Sequence, residues 1–117
     1  EQQRSDLDHV VETILVDAYG DDEHYAAFLT VLEEECPVPV AATLLGIPVT
    51  VMHFRSTAPT RGLVAVCQRP QEVGEVRLAD LVFPPDTVAA WIHAAYRRYV
   101  GLQPFPARPR RVWTWPA

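Results

Sequence analysis

Asp17, Asp21, Asp22 and Glu23 fall within seven residues of one another. Carboxylates at this density are the donors that a hard divalent cation such as calcium takes, six to eight oxygens at about 2.3–2.6 Å, with carbonyls and water completing the shell. Four such groups forced together repel unless a cation or a base relieves them. The alternative is a solvated acidic cap, because negative charge in the first turn of a helix is favourable by about 0.3–1 kcal/mol per residue with no ligand at all. The segment is not an EF-hand: Asp22 stands where the loop needs glycine, and Phe28 stands where the bidentate glutamate belongs.

A second acidic cluster, Glu33, Glu34 and Glu35, sits where a helix would end. The helix dipole disfavours negative charge there, a cost that a cation or an arginine would offset; the commoner alternative is an exposed polar helix end, where charge effects are small. The bases are all arginine, and Arg97, Arg98, Arg108, Arg110 and Arg111 crowd the last third. Within that third, Arg110, Arg111, Trp113 and Trp115 make a Pro/Arg/Trp-rich tail. The tail can fold back with its arginines against the acidic front and its tryptophans on the sheet, or serve as a docking peptide.

Other chemistry finds little support. His9, His24, His53 and His93 lie on separate elements, and neither Cys36 nor Cys67 belongs to a C-x-x-C pair, so zinc spacing is absent. Cys67 and His53 can be imagined as a dyad across neighbouring strands, but nothing in the sequence supplies an orienting carboxylate. Ser5 and Ser56 lack a nucleophile-elbow context, and no Gly-rich phosphate loop occurs. The expectation is a protein that is not an enzyme. A net charge of −5, with acids crowding the first third, argues against nucleic acid and anionic membrane as partners. Two isolated cysteines suit a reducing cytoplasm. No apolar run reaches the roughly 18–20 residues of a membrane span, and Glu1 to Arg4 lacks the basic-then-apolar layout of a signal peptide.

The elements that must position these groups follow from periodicity. Leu7, Val10, Val11, Ile14 and Leu15 share one face of a helix predicted over Ser5 to Ala18, capped by Ser5 or Asp6 and ended at Gly20. A second helix runs from Asp21 or Asp22 to Glu35, with Tyr25, Phe28, Leu29 and Leu32 as its stripe and Pro37 as its stop. The acidic residues therefore lie at a tight helix–helix corner. Residues 38–45, 47–55, 63–68 and 76–83 read as short strands of a small, curled antiparallel sheet. Pro84-Pro85-Asp86 starts a third helix, capped by Asp86 and running to Tyr99. The fold class is α+β: residues 1–102 form one domain and 103–117 the tail.

Ile14-Leu15-Val16-Asp17-Ala18-Tyr19, followed by Asp21-Asp22-Glu23, resembles the opening of a family of small bacterial calcium-binding proteins known from cyanobacteria (CcbP-like). Phe28, Leu32, Glu33, Glu34 and Pro39 fall at matching offsets; Val76 to Leu81, and Asp86-Thr87 with Trp91, Tyr96 and Tyr99, resemble its late strand and closing helix. The likeness spans roughly Val10 to Gly101. It implies helices on a small sheet and calcium held by Asp17, Asp21, Asp22 and Glu23, in a cytoplasmic buffer or sensor without catalysis. Two departures stand out. Gly20 interrupts the acidic run, and the loop from Arg55 to Arg61 carries two arginines where the family places acids. The alternative expectation is a metal-free module that engages a protein through the acidic front and the tail.

Overall fold

The computed structural model describes residues 2–57 and 62–110, together with Trp113 and Trp115. Helix α1 spans Gln2–Ile14 and helix α2 Asp21–Glu35; strands β1 (Val40–Leu44), β2 (Ile47–Ser56), β3 (Leu63–Arg69), β4 (Glu72–Arg77) and β5 (Leu81–Val82) follow, and helix α3 (Val88–Tyr99) closes the series. The five strands form one antiparallel sheet in the order β4-β3-β2-β1-β5. The class is α+β, as the sequence indicates.

Alternation decides which sheet face is covered. Ala42, Val49, Val51, Phe54, Leu63, Ala65 and Cys67 point to one side and join a single core with residues of all three helices. The opposite face carries Thr50, Arg55, Gln68 and Glu75, which are exposed. A bulge between Val51 and His53 keeps the inward phase of β2, placing Phe54 inside after two exposed residues.

Helix α1 buries Leu7, Val10 and Ile14 at the expected spacing. It ends four residues before the predicted limit, because the buried pattern stops there: Val16 is 66% exposed, and Ala18 N–H bonds back to Leu15 O at 3.0 Å in a turn. Gly20 does not close α1. Its φ of 86° and ψ of 161° place it at the N-cap of α2 instead, a conformation open almost only to glycine.

The predicted strand 76–83 is divided. Val76 and Arg77 finish β4 at one sheet edge, a 3-10 turn at Leu78–Asp80 carries the chain across, and Leu81–Val82 pairs with β1 at the other edge. One extended strand cannot serve both edges, and buried Leu78 marks the crossing.

Thr87, not Asp86, caps α3. Its Oγ1 accepts from Ala90 N–H at 3.1 Å and donates to Pro84 O at 2.7 Å. Asp86 faces the tail, paired with Arg108 at 3.3 Å and accepting from Arg110 at its carbonyl at 2.8 Å. Ala89 to Tyr96 are buried on every side, as befits a helix enclosed by neighbours. Arg98 ties α3 to α1 through Asp8 at 2.8 Å.

The start of the tail is part of the body. Phe105 stacks on His93, with ring centroids 5.9 Å apart. The Arg97 guanidinium lies 3.8 Å above the Phe105 ring and donates to Gln103 O at 2.7 Å. Ala107 is buried.

Candidate functional site

The corner places Asp17 in the turn after α1 and Asp21, Asp22 and Glu23 in the first turn of α2. All four are exposed or half-exposed at the surface, and Asp17, Asp21, Asp22 and Glu23 each face solvent. Glu23 also supports the backbone, since its Oε1 accepts the Tyr19 N–H at 3.0 Å. That bond satisfies a donor just ahead of the helix in the manner of a capping box. Tyr19 is 75% exposed beside it.

Asp17 and Glu23 line a common cleft of about 460 Å³, whose other walls are Ile14, Val16, Ala18, Ala26, Ala27, Thr30 and Trp115. Glu23, Ala26, Ala27 and Thr30 recur at the three-and-four spacing of one face of α2, so small side chains form a shallow floor there. Asp21 is not one of the cleft's walls; the Tyr99 phenol is pushed above its usual pKa by burial first and by the Asp21 charge second.

Among the described residues, no three or more His, Cys, Asp or Glu side chains converge as a metal ion would require. No ion pair among the described residues compensates the charge of the four corner acids. The ion pairs among the described residues join Arg55 to Glu75, Arg69 to Glu72, Arg77 to Asp80, Arg98 to Asp8 and Arg108 to Asp86. None reaches Asp17, Asp21, Asp22 or Glu23.

The tail arrives at this site by its tryptophans. Trp113 Nε1 donates to Glu35 at 3.1 Å and Trp115 Nε1 to Glu34 at 2.8 Å. The acids at the C-terminal end of α2 are thus met by indole N–H groups, which tie both tryptophans to α2. Arg110 is turned to Asp86 O. Arg111 lies outside the described residues. Trp115 joins the two residue sets that the sequence proposes separately, since it walls the cleft that holds Asp17 and Glu23. No sequence pattern links positions 115 and 17.

The remaining candidates disperse. His53 is exposed on the open face of the sheet, whereas Cys67 is buried on the covered face, so the imagined dyad is split by the sheet. Burial raises the Cys67 thiol pKa, and burial reinforced by Glu35 pushes Cys36 up to about 12; neither is a poised nucleophile. His24 bonds to Tyr99 Oη at 2.9 Å in a cluster with Tyr25, Phe28 and Tyr96. His93, 1% exposed, donates from Nε2 to Leu78 O at 2.7 Å. Its environment could have been suspected only from its place on the apolar face of α3.

No helix among the described residues is long and apolar enough to cross a membrane. Compared with family models, curated proteins and solved structures, the chain gives no match.

Proposed function

We propose that this chain is a non-catalytic interaction domain whose acidic corner receives a positively charged segment of a partner protein. The observation that carries the reading is the cleft itself: an apolar floor with carboxylates at its rim and no arginine of the described fold reaching them. Val16 and Tyr19, exposed beside it, offer apolar contact, and Asp17, which no ion pair among the described residues reaches, offers charge. A partner carrying arginine or lysine next to aliphatic residues complements both features. The same field disfavours nucleic acid and anionic membrane. Two buried free thiols suit a reducing cytoplasm.

Calcium is the second reading, favoured by Asp17 and Glu23 lining one cleft with Asp21 and Asp22 within the same turn. The ion would draw on these carboxylates and complete its shell with water and backbone oxygens. One calorimetric experiment separates the two. Chelator-treated protein is titrated with a synthetic amphipathic peptide, arginine on one face and leucine on the other, and separately with calcium and magnesium. The first reading expects saturable peptide binding that salt weakens and that Asp17→Asn with Glu23→Gln reduces by about tenfold, a loss of roughly 1.4 kcal/mol. Peptide binding that ignores both carboxylates would sink it. Saturable calcium heat, much weaker magnesium heat, and loss of the calcium heat in Asp17→Asn and Asp21→Asn would establish the second.

A further inference from the structure

We infer that Trp115 is an internal competitor for the acidic cleft, held on it in cis and displaced when a basic partner segment binds. The inference rests on the peptide-binding reading above and names its regulation.

The attachment of the tail is uneven. Up to Arg110 it is anchored by several independent contacts: Phe105 stacked on His93, Arg97 on Gln103 O and over the Phe105 ring, buried Ala107, Arg108 on Asp86, and Arg110 on Asp86 O. Beyond that point the described contacts are of another kind. Trp113 and Trp115 each give one indole hydrogen bond, to Glu35 and Glu34; Trp113 N–H also bonds to Arg110 O at 3.0 Å, and both rings, partly buried, rest against the edge of the core. Trp115 can therefore leave while the anchor holds. Its leaving would enlarge the cleft, because it is one of the walls and lies on the face of α2 that carries Glu23, Ala27, Thr30 and Glu34.

The chemistry matches that of an incoming partner. An indole is a flat apolar body with one N–H donor, so it covers the small-residue floor and satisfies one carboxylate. It brings no positive charge to Asp17. A segment bearing arginine and leucine would cover the same floor and add the missing charge, which gives it an advantage over the resident tryptophan. The bound state then depends on how often Trp115 vacates the cleft, since apparent affinity scales with the fraction of open molecules.

The test measures affinity for the arginine/leucine peptide on the full chain and on Trp115→Ala, with a glutamate/leucine peptide as the control and circular dichroism as the check on folding. A folded Trp115→Ala variant is expected to bind the basic peptide about three- to tenfold more tightly, the gain from removing a competitor that keeps most molecules closed. Glu34→Gln, which weakens the hold on the indole, is expected to shift affinity the same way by less. Unchanged affinity in a folded Trp115→Ala variant would overturn the competitor and leave the acidic-cleft reading standing. Weaker binding would also overturn it, by making Trp115 a wall that the partner uses. Absence of peptide binding by both proteins at low salt would defeat the underlying reading as well.

Discussion

Lowering the pH should destabilise this protein through His93 before its carboxylates are protonated. The ring is enclosed by Phe83 and Phe105, with centroids 5.4 and 5.9 Å away. Burial is the main cause of a pKa lowered from 6.5 to about 4; the Leu78 carbonyl and Asp80 pull the other way, and Arg97 adds to the lowering. Because the folded value lies below the unfolded one, the unfolded chain takes up the proton first. Stability is therefore complete above about pH 6.5, falls between 6.5 and 4, and is level below. At roughly 1.4 kcal/mol per pH unit, the full gap amounts to about 3 kcal/mol, and about 2 kcal/mol of it is already lost at pH 5. For a domain of this size that is a large share of a total of about 5–15 kcal/mol. The assay is urea unfolding at pH 7 and pH 5 for the native chain and for His93→Gln, whose amide can still donate to Leu78 O. Both proteins share every other titrating group, so the difference between their losses isolates the imidazole. The native chain should lose about 2 kcal/mol more than the variant. Equal losses would refute the reasoning, because they would mean that the ring accepts its proton in place.

Two further outcomes follow from backbone geometry. Leu45 has φ +51° and is 91% exposed in the β1–β2 turn ahead of Gly46 at φ +80°; Leu45→Asn, giving the Asn-Gly pair such turns favour, should raise stability by about 0.5–1 kcal/mol in the same urea assay. At Gly62, φ is +69° and an added Cβ would sit 2.7 Å from the Tyr96 hydroxyl, which accepts the Leu63 N–H at 3.1 Å; Gly62→Ala should therefore cost about 2–4 kcal/mol, with a smaller loss in Tyr96→Phe.

The parts of the fold that sequence reasoning recovers are those with a local signal. Helix α2 begins at Asp21 and ends at Glu35 because its acids, its apolar stripe and Pro37 all lie within reach of one another. Strands β1 to β3 are recovered for the same reason, from β-branched runs broken by turns. Misplacements occur where a distant partner decides. Residues 76–83 form one β-rich run, yet Val76 belongs beside Ala65 and Val82 beside Thr43, and only the sheet order reveals the break. Asp86 and Thr87 are equally good caps by type; Arg108 and Arg110, over twenty positions away, hold Asp86 and leave the cap to Thr87.

The candidate site shows the same division, and the division bears on how the corner works. That Asp17, Asp21, Asp22 and Glu23 are gathered at a helix junction is legible from spacing alone. That no arginine among the described residues pairs with them is not, because the chain holds enough arginines to neutralise them. Each described arginine side chain with an assigned contact is engaged elsewhere, on acids along the sheet, on Asp8 and Asp86, or on carbonyls. No arginine among the described residues pairs with the unfavourable acids at the far end of α2; Glu34 and Glu35 take the two indole N–H groups. An indole satisfies a lone pair without cancelling a charge, so the tail that covers α2 leaves its negative field intact. A neutralising arginine at Glu34 would have secured the tail by charge and weakened the attraction for a cationic partner in one step. The prediction that follows is specific: Trp115→Arg should hold the tail more firmly and reduce binding of the arginine/leucine peptide below the native level, whereas Trp115→Ala should raise it. If both substitutions shift the affinity in the same direction, charge at this position is not what governs the cleft.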